Sequence, residues 1–201
     1  GLEIIDNATM TLEMLVIENI AYTVSHTAGL RCYDLSDISS ISPLSNGLSI
    51  ENAETIVKDG DLVYISDLFH GITVFDVKDP RGIKPVGKYS TASTHTYDVE
   101  VSGKYAYIGT EPEGLQIVDI SSPPNFVKEG QYDGLTGIEE AVVSGDFAYL
   151  VADTGGFEIV DISVPQSPEP VYKYNKHSSP TDTTVQPYRI SLYGNHAFLS
   201  G

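Results

Sequence analysis

The sequence contains no tryptophan and only one cysteine, Cys32. A single cysteine cannot form an internal disulfide, and no CxxC pair or cysteine–histidine pair with metal-ligand spacing accompanies it. A disulfide framework and a zinc ribbon are therefore excluded. We expect Cys32 to be a small core residue.

Basic residues are scarce, with 11 lysines and arginines against 28 aspartates and glutamates, a formal charge of −17. Such a surface repels phosphate backbones and anionic lipid headgroups, so nucleic acid is not an expected partner. The sequence also lacks an apolar run long enough to span a bilayer and a basic segment followed by an apolar one at its N-terminus. We expect no direct membrane insertion.

Common catalytic motifs are missing as well. The sequence has no GxSxG elbow, P-loop, HExxH, EF-hand loop or CxxCH haem site. Conventional single-chain catalysis therefore has no support, and no catalytic residue is assigned.

What the sequence does have is a repeat. A six-residue motif begins with glycine, ends with aspartate and is apolar in between except at its third position. It occurs at residues 1–6, 29–34, 71–76, 114–119 and 156–161. The aspartates of the last four copies are 42, 43 and 42 residues apart. A two-residue element such as Ala106-Tyr107 or Ala148-Tyr149 precedes each of these four copies by about nine residues. Before the last three copies this element follows a glycine turn typical of a β-hairpin.

Each unit is predicted to contain four short antiparallel strands, the last of which follows a proline turn. Such sheets bury both faces only when they stack radially, which indicates an all-β propeller of four-stranded blades, about five blades or a fragment of a larger propeller. An open solenoid is the alternative. The predicted blades cover residues 12–50, 51–94, 95–136 and 137–178, with partial blades at 1–11 and 185–201.

The ends of the chain depart from the period. Asp6 and Asp34 are only 28 residues apart, and the sequence stops at Gly201, where the next motif is expected. We expect either a fragment of a larger protein or a ring in which residues 1–6 complete the last unit.

The motif resembles the LVIVD-repeat β-propellers, whose signature strand is similar to Leu115-Gln116-Ile117-Val118-Asp119 and to Phe157-Glu158-Ile159-Val160-Asp161. The first unit is the weakest match, because Ile38 replaces the turn proline and Gly47 the tyrosine of the fourth strand. The resemblance implies a bacterial or archaeal repeat protein, usually exported or at the cell surface, with no general catalytic motif.

The closing aspartates Asp34, Asp76, Asp119 and Asp161 are predicted to cap turns, since each stands where a strand enters a turn. Alignment of the first strands places Glu13, Asp98, Glu140 and Arg189 at one equivalent position, with Thr55 as the fifth member. These side chains are expected to ring the mouth of the central channel. Glu13, Asp98 and Glu140 are thus candidate ligands for Ca²⁺, although Arg189 argues against an all-anionic site. No cofactor is otherwise required.

Because successive strands reverse direction, the loops after the second and fourth strands emerge at the same end of a blade. These loops carry the candidate interaction residues. They are His26, Asp67, His70, His95, Glu111, Glu113, Asp153 and His177.

Three functions remain open. The first is a non-catalytic extracellular or cell-surface scaffold that binds a protein or glycan through these loops. The second is a calcium-dependent hydrolase or redox-complex subunit. The third is a surface-layer or filament component that self-assembles through edge strands.

Overall fold

The computed structural model describes residues 11–45, 47–153, 156–175 and 187–201, with the side chain of residue 175 left out. The described residues form strands, turns and loops but no helix, and so no helix that could cross a membrane. The strands build four sheets of four strands and one sheet of two. We call each sheet a blade and number the blades in chain order.

Each complete blade is an antiparallel meander in which neighbouring strands follow one another in sequence. Blade one contains β1 (Glu13–Ile17), β2 (Ile20–Ser25), β3 (Gly29–Asp34) and β4 (Ser42–Pro43). Blade two contains β5 (Ala53–Asp59), β6 (Leu62–Asp67), β7 (Gly71–Asp76) and β8 (Lys84–Tyr89). Blade three contains β9 (His95–Ser102), β10 (Tyr105–Glu111), β11 (Gly114–Asp119) and β12 (Val127–Tyr132). Blade four contains β13 (Ile138–Ser144), β14 (Phe147–Ala152), β15 (Gly156–Asp161) and β16 (Glu169–Asn175), and blade five contains β17 (Arg189–Tyr193) and β18 (His196–Ser200).

The repeated motif forms the third strand of every complete blade, in one register. Ala106 lies opposite Val118 in blade three, and Ala148 lies opposite Val160 in blade four. The same pairing joins Ala21 to Tyr33 and Val63 to Phe75. The sequence repeat is therefore a repeat of strand register.

The hydrophobic core lies between blades. Successive residues of a strand point to opposite faces, so Ile72 and Val74 of β7 pack towards blade three, whereas Phe75 packs towards blade one. Four apolar clusters fill the spaces between successive blades. A fully buried side chain such as Leu150 contributes about 1.5–3 kcal/mol. Burial on both faces explains why the residues between the glycine and the aspartate of the motif are apolar, except at the third position.

Tyrosines at the ends of the fourth strands also join neighbouring blades. The Tyr89 hydroxyl donates a hydrogen bond to Oε1 of Gln116, 3.1 Å away, and Gln116 is fully buried. The Tyr132 hydroxyl donates in the same way to Oε2 of Glu158. Gln116 and Glu158 both occupy the third position of the motif. One outer tyrosine therefore supplies a polar partner to the next blade.

The first strands of successive blades pack beside one another, which places β1, β5, β9, β13 and β17 innermost. This arrangement is propeller-like. The loops after the second and fourth strands open at one end, which we call the upper face.

Candidate interaction face

The sequence-predicted loop residues that the structure describes lie at the upper face, at strand ends or in the adjoining loops. His177 falls outside the described residues. His26 follows β2, and its Nε2 lies 2.7 Å from Oε1 of Glu54, on the next blade. This pair joins the first two blades across their upper edge.

Asp67 and His70 form a second pair, in the tight loop between β6 and β7. The carboxylate of Asp67 is buried, with Oδ1 2.8 Å from Nδ1 of His70 and accepting the backbone N–H of Phe69. Asp67 thereby holds the loop in shape. The loop presents Phe69 and His70 outward, since their exposed fractions are 50% for Phe69 and 56% for the His70 side chain.

Three aromatic rings continue from this loop towards the axis. The ring centroids of Phe69 and His95 are 5.6 Å apart, and those of His95 and Tyr97 are also 5.6 Å apart and stacked. Oε2 of Glu111 accepts a hydrogen bond from the Tyr97 hydroxyl at 2.8 Å and lies 3.2 Å from Nδ1 of His95. We call Phe69, His95 and Tyr97 the aromatic ladder. Its inner end is fixed by one carboxylate.

Two more acids lie inward of the ladder. Burial, followed by the nearby charge of Asp153, raises the pKa of Glu139. Burial, followed by Glu111, raises the pKa of the Tyr97 hydroxyl, and Glu139 and Asp153 add to this shift. Arg189 opposes the effect at Glu139. Negative potential therefore accumulates at the inner end of the ladder.

Glu113, the remaining predicted loop residue, is half-buried in the loop between β10 and β11. Its backbone carbonyl accepts a hydrogen bond from Nε2 of Gln131 at 2.9 Å. Its Oε2 is buried and has no hydrogen-bond partner among the described residues.

The predicted ring of equivalent residues connects the inner strands. Four of its five members, all but Arg189, accept the backbone N–H of the residue that follows their counterpart on the next blade. Oε2 of Glu13 accepts from Ile56 at 2.8 Å, Oγ1 of Thr55 from Val99 at 3.3 Å, Oδ2 of Asp98 from Ala141 at 2.8 Å, and Oε2 of Glu140 from Ile190. We call this series the inter-blade clasp. The repeated hydrogen bond therefore links the inner strands of neighbouring blades.

The carboxyls near the clasp are poorly solvated. Burial raises the pKa of Asp98 to about 7, and the neighbouring acids Glu140 and Glu13 add to the shift. Burial and the same two acids also raise the pKa of Glu100 to about 7. Asp98 and Glu100 therefore bind and release protons near neutral pH.

Glu13, Asp98 and Glu140 are the candidate calcium ligands. In the described part of the chain, no three histidine, cysteine, aspartate or glutamate side chains form a group that could hold a metal ion. Each of the three carboxylates instead contacts a backbone N–H group. Calcium binding by this set stays a prediction.

The four motif aspartates lie at the opposite end of the blades. Oδ1 of each accepts the backbone N–H two residues later at 2.9 Å, from Ser36, Lys78, Ser121 and Ser163. Hydrogen bonds from Lys104 and Ser121 lower the pKa of Asp119 to about 2. These residues shape turns away from the upper face.

Sequence reasoning missed Glu54, Tyr97 and Glu139, each of which directly precedes a clasp residue. The strand register shifts beside all three, in β5, β9 and β13. A β-bulge of this kind re-aims a side chain, here at the upper end of the inner strands. The equivalent position in three successive blades was the available signal. Phe69 had none, because it is an isolated aromatic residue in a loop.

The LVIVD repeat family matches residues 94–134 and 139–176, which correspond to blades three and four. None of the curated proteins matches the chain. Among solved structures, a Lactobacillus plantarum protein has a TM-score of 0.71 at 11% identity, over 87% of this chain and 57% of that one. The computationally designed proteins Ika8 and Ika4 have TM-scores of 0.67 and 0.59 at 11% and 10% identity.

The alignments cover 92% of this chain and 54% of Ika8, and 86% of this chain and 97% of Ika4. The chain thus spans about half the length of Ika8 and of the Lactobacillus protein. At such low identity the likeness bears on the fold alone, and these neighbours have propeller-like folds. Two consecutive blades thus match the LVIVD repeat, the signature that the sequence motif resembles.

Proposed function

We propose that the chain is a non-catalytic propeller scaffold that binds a protein or glycan partner through its upper face, outside the cell or at its surface. The observation that carries this proposal is the aromatic ladder. It presents the exposed Phe69 ring beside two more rings and the Glu111 carboxylate. Aromatic faces beside hydrogen-bonding groups suit both protein side chains and sugar rings.

The fold supports display rather than chemistry. Asp98 takes part in the inter-blade clasp, and the motif aspartates cap turns. The upper loops are held by local pairs such as Asp67 with His70. A rigid scaffold that carries preorganised loops is a common basis for binding. The location outside the cell rests on the resemblance of the repeats to exported and surface proteins.

The proposal can be tested with fluorescently labelled protein on a glycan array and a peptide array. Phe69→Ala and His70→Ala together should abolish any saturable binding. Phe147→Ala, which removes a partly exposed phenylalanine at the opposite end, should leave it unchanged. Thermal melting would verify that both variants fold. Ligands whose binding survives the upper-face change but not Phe147→Ala would contradict the proposal.

A further inference from the structure

The aromatic ladder has a directional charge distribution. Its outer end, Phe69, is apolar and half exposed. Its inner end, Tyr97, donates its hydroxyl hydrogen to Glu111, and that carboxylate also lies 3.2 Å from His95. The ladder is therefore an aromatic surface that ends on an anion.

The surroundings of Tyr97 strengthen this asymmetry. Glu139 and Asp153 act electrostatically on Tyr97, and Glu54 and Glu111 act on Glu139 in the same way. The positive charge of Arg189 partly offsets this negative potential at Glu139. The formal charge of the whole chain, −17, has the same sign. A cation placed on the ladder would meet ring faces and negative potential together.

We propose that the aromatic ladder of Phe69, His95 and Tyr97 is the docking surface for an arginine or lysine side chain on an exposed segment of a protein partner. This inference rests on the proposed function, because it specifies the partner of the same face. A cation over an aromatic ring is attracted by the ring quadrupole. Glu111 supplies a charge-assisted hydrogen-bond acceptor at the inner end. The overall negative field would also speed encounter with a basic partner.

Charge complementarity favours this occupant over a neutral sugar. A sugar ring could stack on Phe69, but it would not relieve the repulsion that Asp153, Glu54 and Glu111 exert on Glu139. A guanidinium or ammonium group gains from both features. Two β-bulges bring the aromatic rings and the acids together, because they direct Tyr97 and Glu139 to the same end of neighbouring inner strands.

A titration of the full chain, followed by amide NMR spectra, tests the inference. The probe is a short glycine–serine peptide that carries a pair of arginines, and the matched peptide carries glutamines. We expect saturable shifts around residues 67–70, 95–97 and 111 with the arginine peptide only. Phe69→Ala and Glu139→Gln should each weaken binding roughly two- to five-fold, the size of one exposed cation–π or charge contact.

Matched controls separate this site from general attraction to an acidic protein. Phe147→Ala removes an aromatic ring at the opposite end, and Asp146→Asn removes one exposed negative charge there. Both should bind the arginine peptide as the unmodified chain does. If the upper-face and opposite-end variants behave alike, the attraction is delocalised and the inference is wrong.

A different failure would leave the proposed function intact. If the glutamine peptide or an array glycan binds through Phe69 as tightly as the arginine peptide, the face binds ligands but is not selective for cations. If no array ligand depends on Phe69 at all, the proposed function itself fails.

Discussion

The carboxylate of Asp98 accepts a hydrogen bond from the backbone N–H of Ala141, 2.8 Å away, across the boundary between blades three and four. Asp98 is buried, and its neighbours Glu140 and Glu13 are also acids. The Asp98 carboxylate therefore has two opposing effects on stability. An oxygen acceptor is needed at this position, whereas a negative charge is costly.

Substitutions at Asp98 should separate the contribution of its hydrogen bond from the cost of its buried charge. Asp98→Asn keeps an oxygen that can accept the Ala141 N–H and removes the buried charge, so we expect it to be more stable than the unmodified chain at about pH 8. Asp98→Ala removes the acceptor as well and should lose about 1–3 kcal/mol relative to Asp98→Asn. Urea unfolding would measure both. Equal stability of the two variants would show that the hydrogen bond contributes nothing.

The stability of the unmodified chain should decrease as the pH rises from about 4 to about 7. In this window the folded state keeps a proton on Asp98, whose pKa is about 7, while the unfolded chain, with a pKa near 3.8, has lost it. Glu100 acts in the same direction. The raised pKa of Asp98 corresponds to at most roughly 4 kcal/mol, and above about pH 7 its effect is constant.

The measurement is the free energy of unfolding in urea at several pH values in that window. A variant with both Asp98→Asn and Glu100→Gln should show a much flatter pH dependence. An unchanged slope in this variant would mean that other groups bind the protons.

Thr55 tests the clasp without a change of charge. Its Oγ1 accepts the Val99 N–H at 3.3 Å and lies 2.9 Å from Oγ of Ser66, and Thr55 is buried. Thr55→Val has nearly the same shape but leaves the Val99 N–H without its partner, so we expect a loss of about 1–3 kcal/mol. Thr55→Ser retains the hydroxyl and should lose less. Equal losses would assign the effect to the methyl group instead.

Removal of divalent metal should not change the melting temperature. The calcium candidates Glu13, Asp98 and Glu140 each contact a backbone N–H group of the next blade, so they stabilise the fold without a cation. Melting with added Ca²⁺ and with EDTA, after elemental analysis of protein purified without chelator, checks this. Stoichiometric metal together with a lower melting temperature in EDTA would instead support the calcium hypothesis.

The sequence predicted the equivalence of the clasp residues but not their role. Alignment of apolar positions in the first strands was enough to place Glu13, Asp98 and Glu140 together, because strand register follows the apolar pattern. Their partner, however, is a backbone N–H of another blade, and every residue except proline has that group. The residue type at the partner position therefore carries no signal.

The sequence predicted which residues lie at the upper face, but it did not predict the contacts among them. Strand reversal alone places His70, His95 and Glu111 at one end. The aromatic ladder also needs Phe69 from a loop and Tyr97 from a bulge, and an extra bulge residue has no fixed residue type. Tyr89 and Gln116 are a further example. The sequence repeat reveals the position of each residue within its unit, but it does not reveal that the two form a hydrogen bond between blades.

Gly114 and Gly103 offer a direct test of strand-to-loop geometry. Both have positive φ, +79° and +61°. A Cβ at Gly114 would lie 2.3 Å from the Tyr132 carbonyl oxygen and 2.7 Å from that of Leu135, whereas a Cβ at Gly103 would meet nothing within 4 Å. Gly103→Ala should therefore lose only the roughly 1–2 kcal/mol of left-handed backbone strain.

Gly114→Ala should be clearly less stable than Gly103→Ala, because its methyl group also forces two backbone carbonyls apart where the motif strand begins. The melting temperatures of the two variants give the comparison. The displaced segment joins β12 to the loop before β13, so the change should also broaden amide NMR signals around residues 133–137. Equal melting temperatures would mean that residues 133–137 can move to accommodate the methyl group without loss of stability. The close packing that holds the upper face of blades three and four would then have to lie elsewhere.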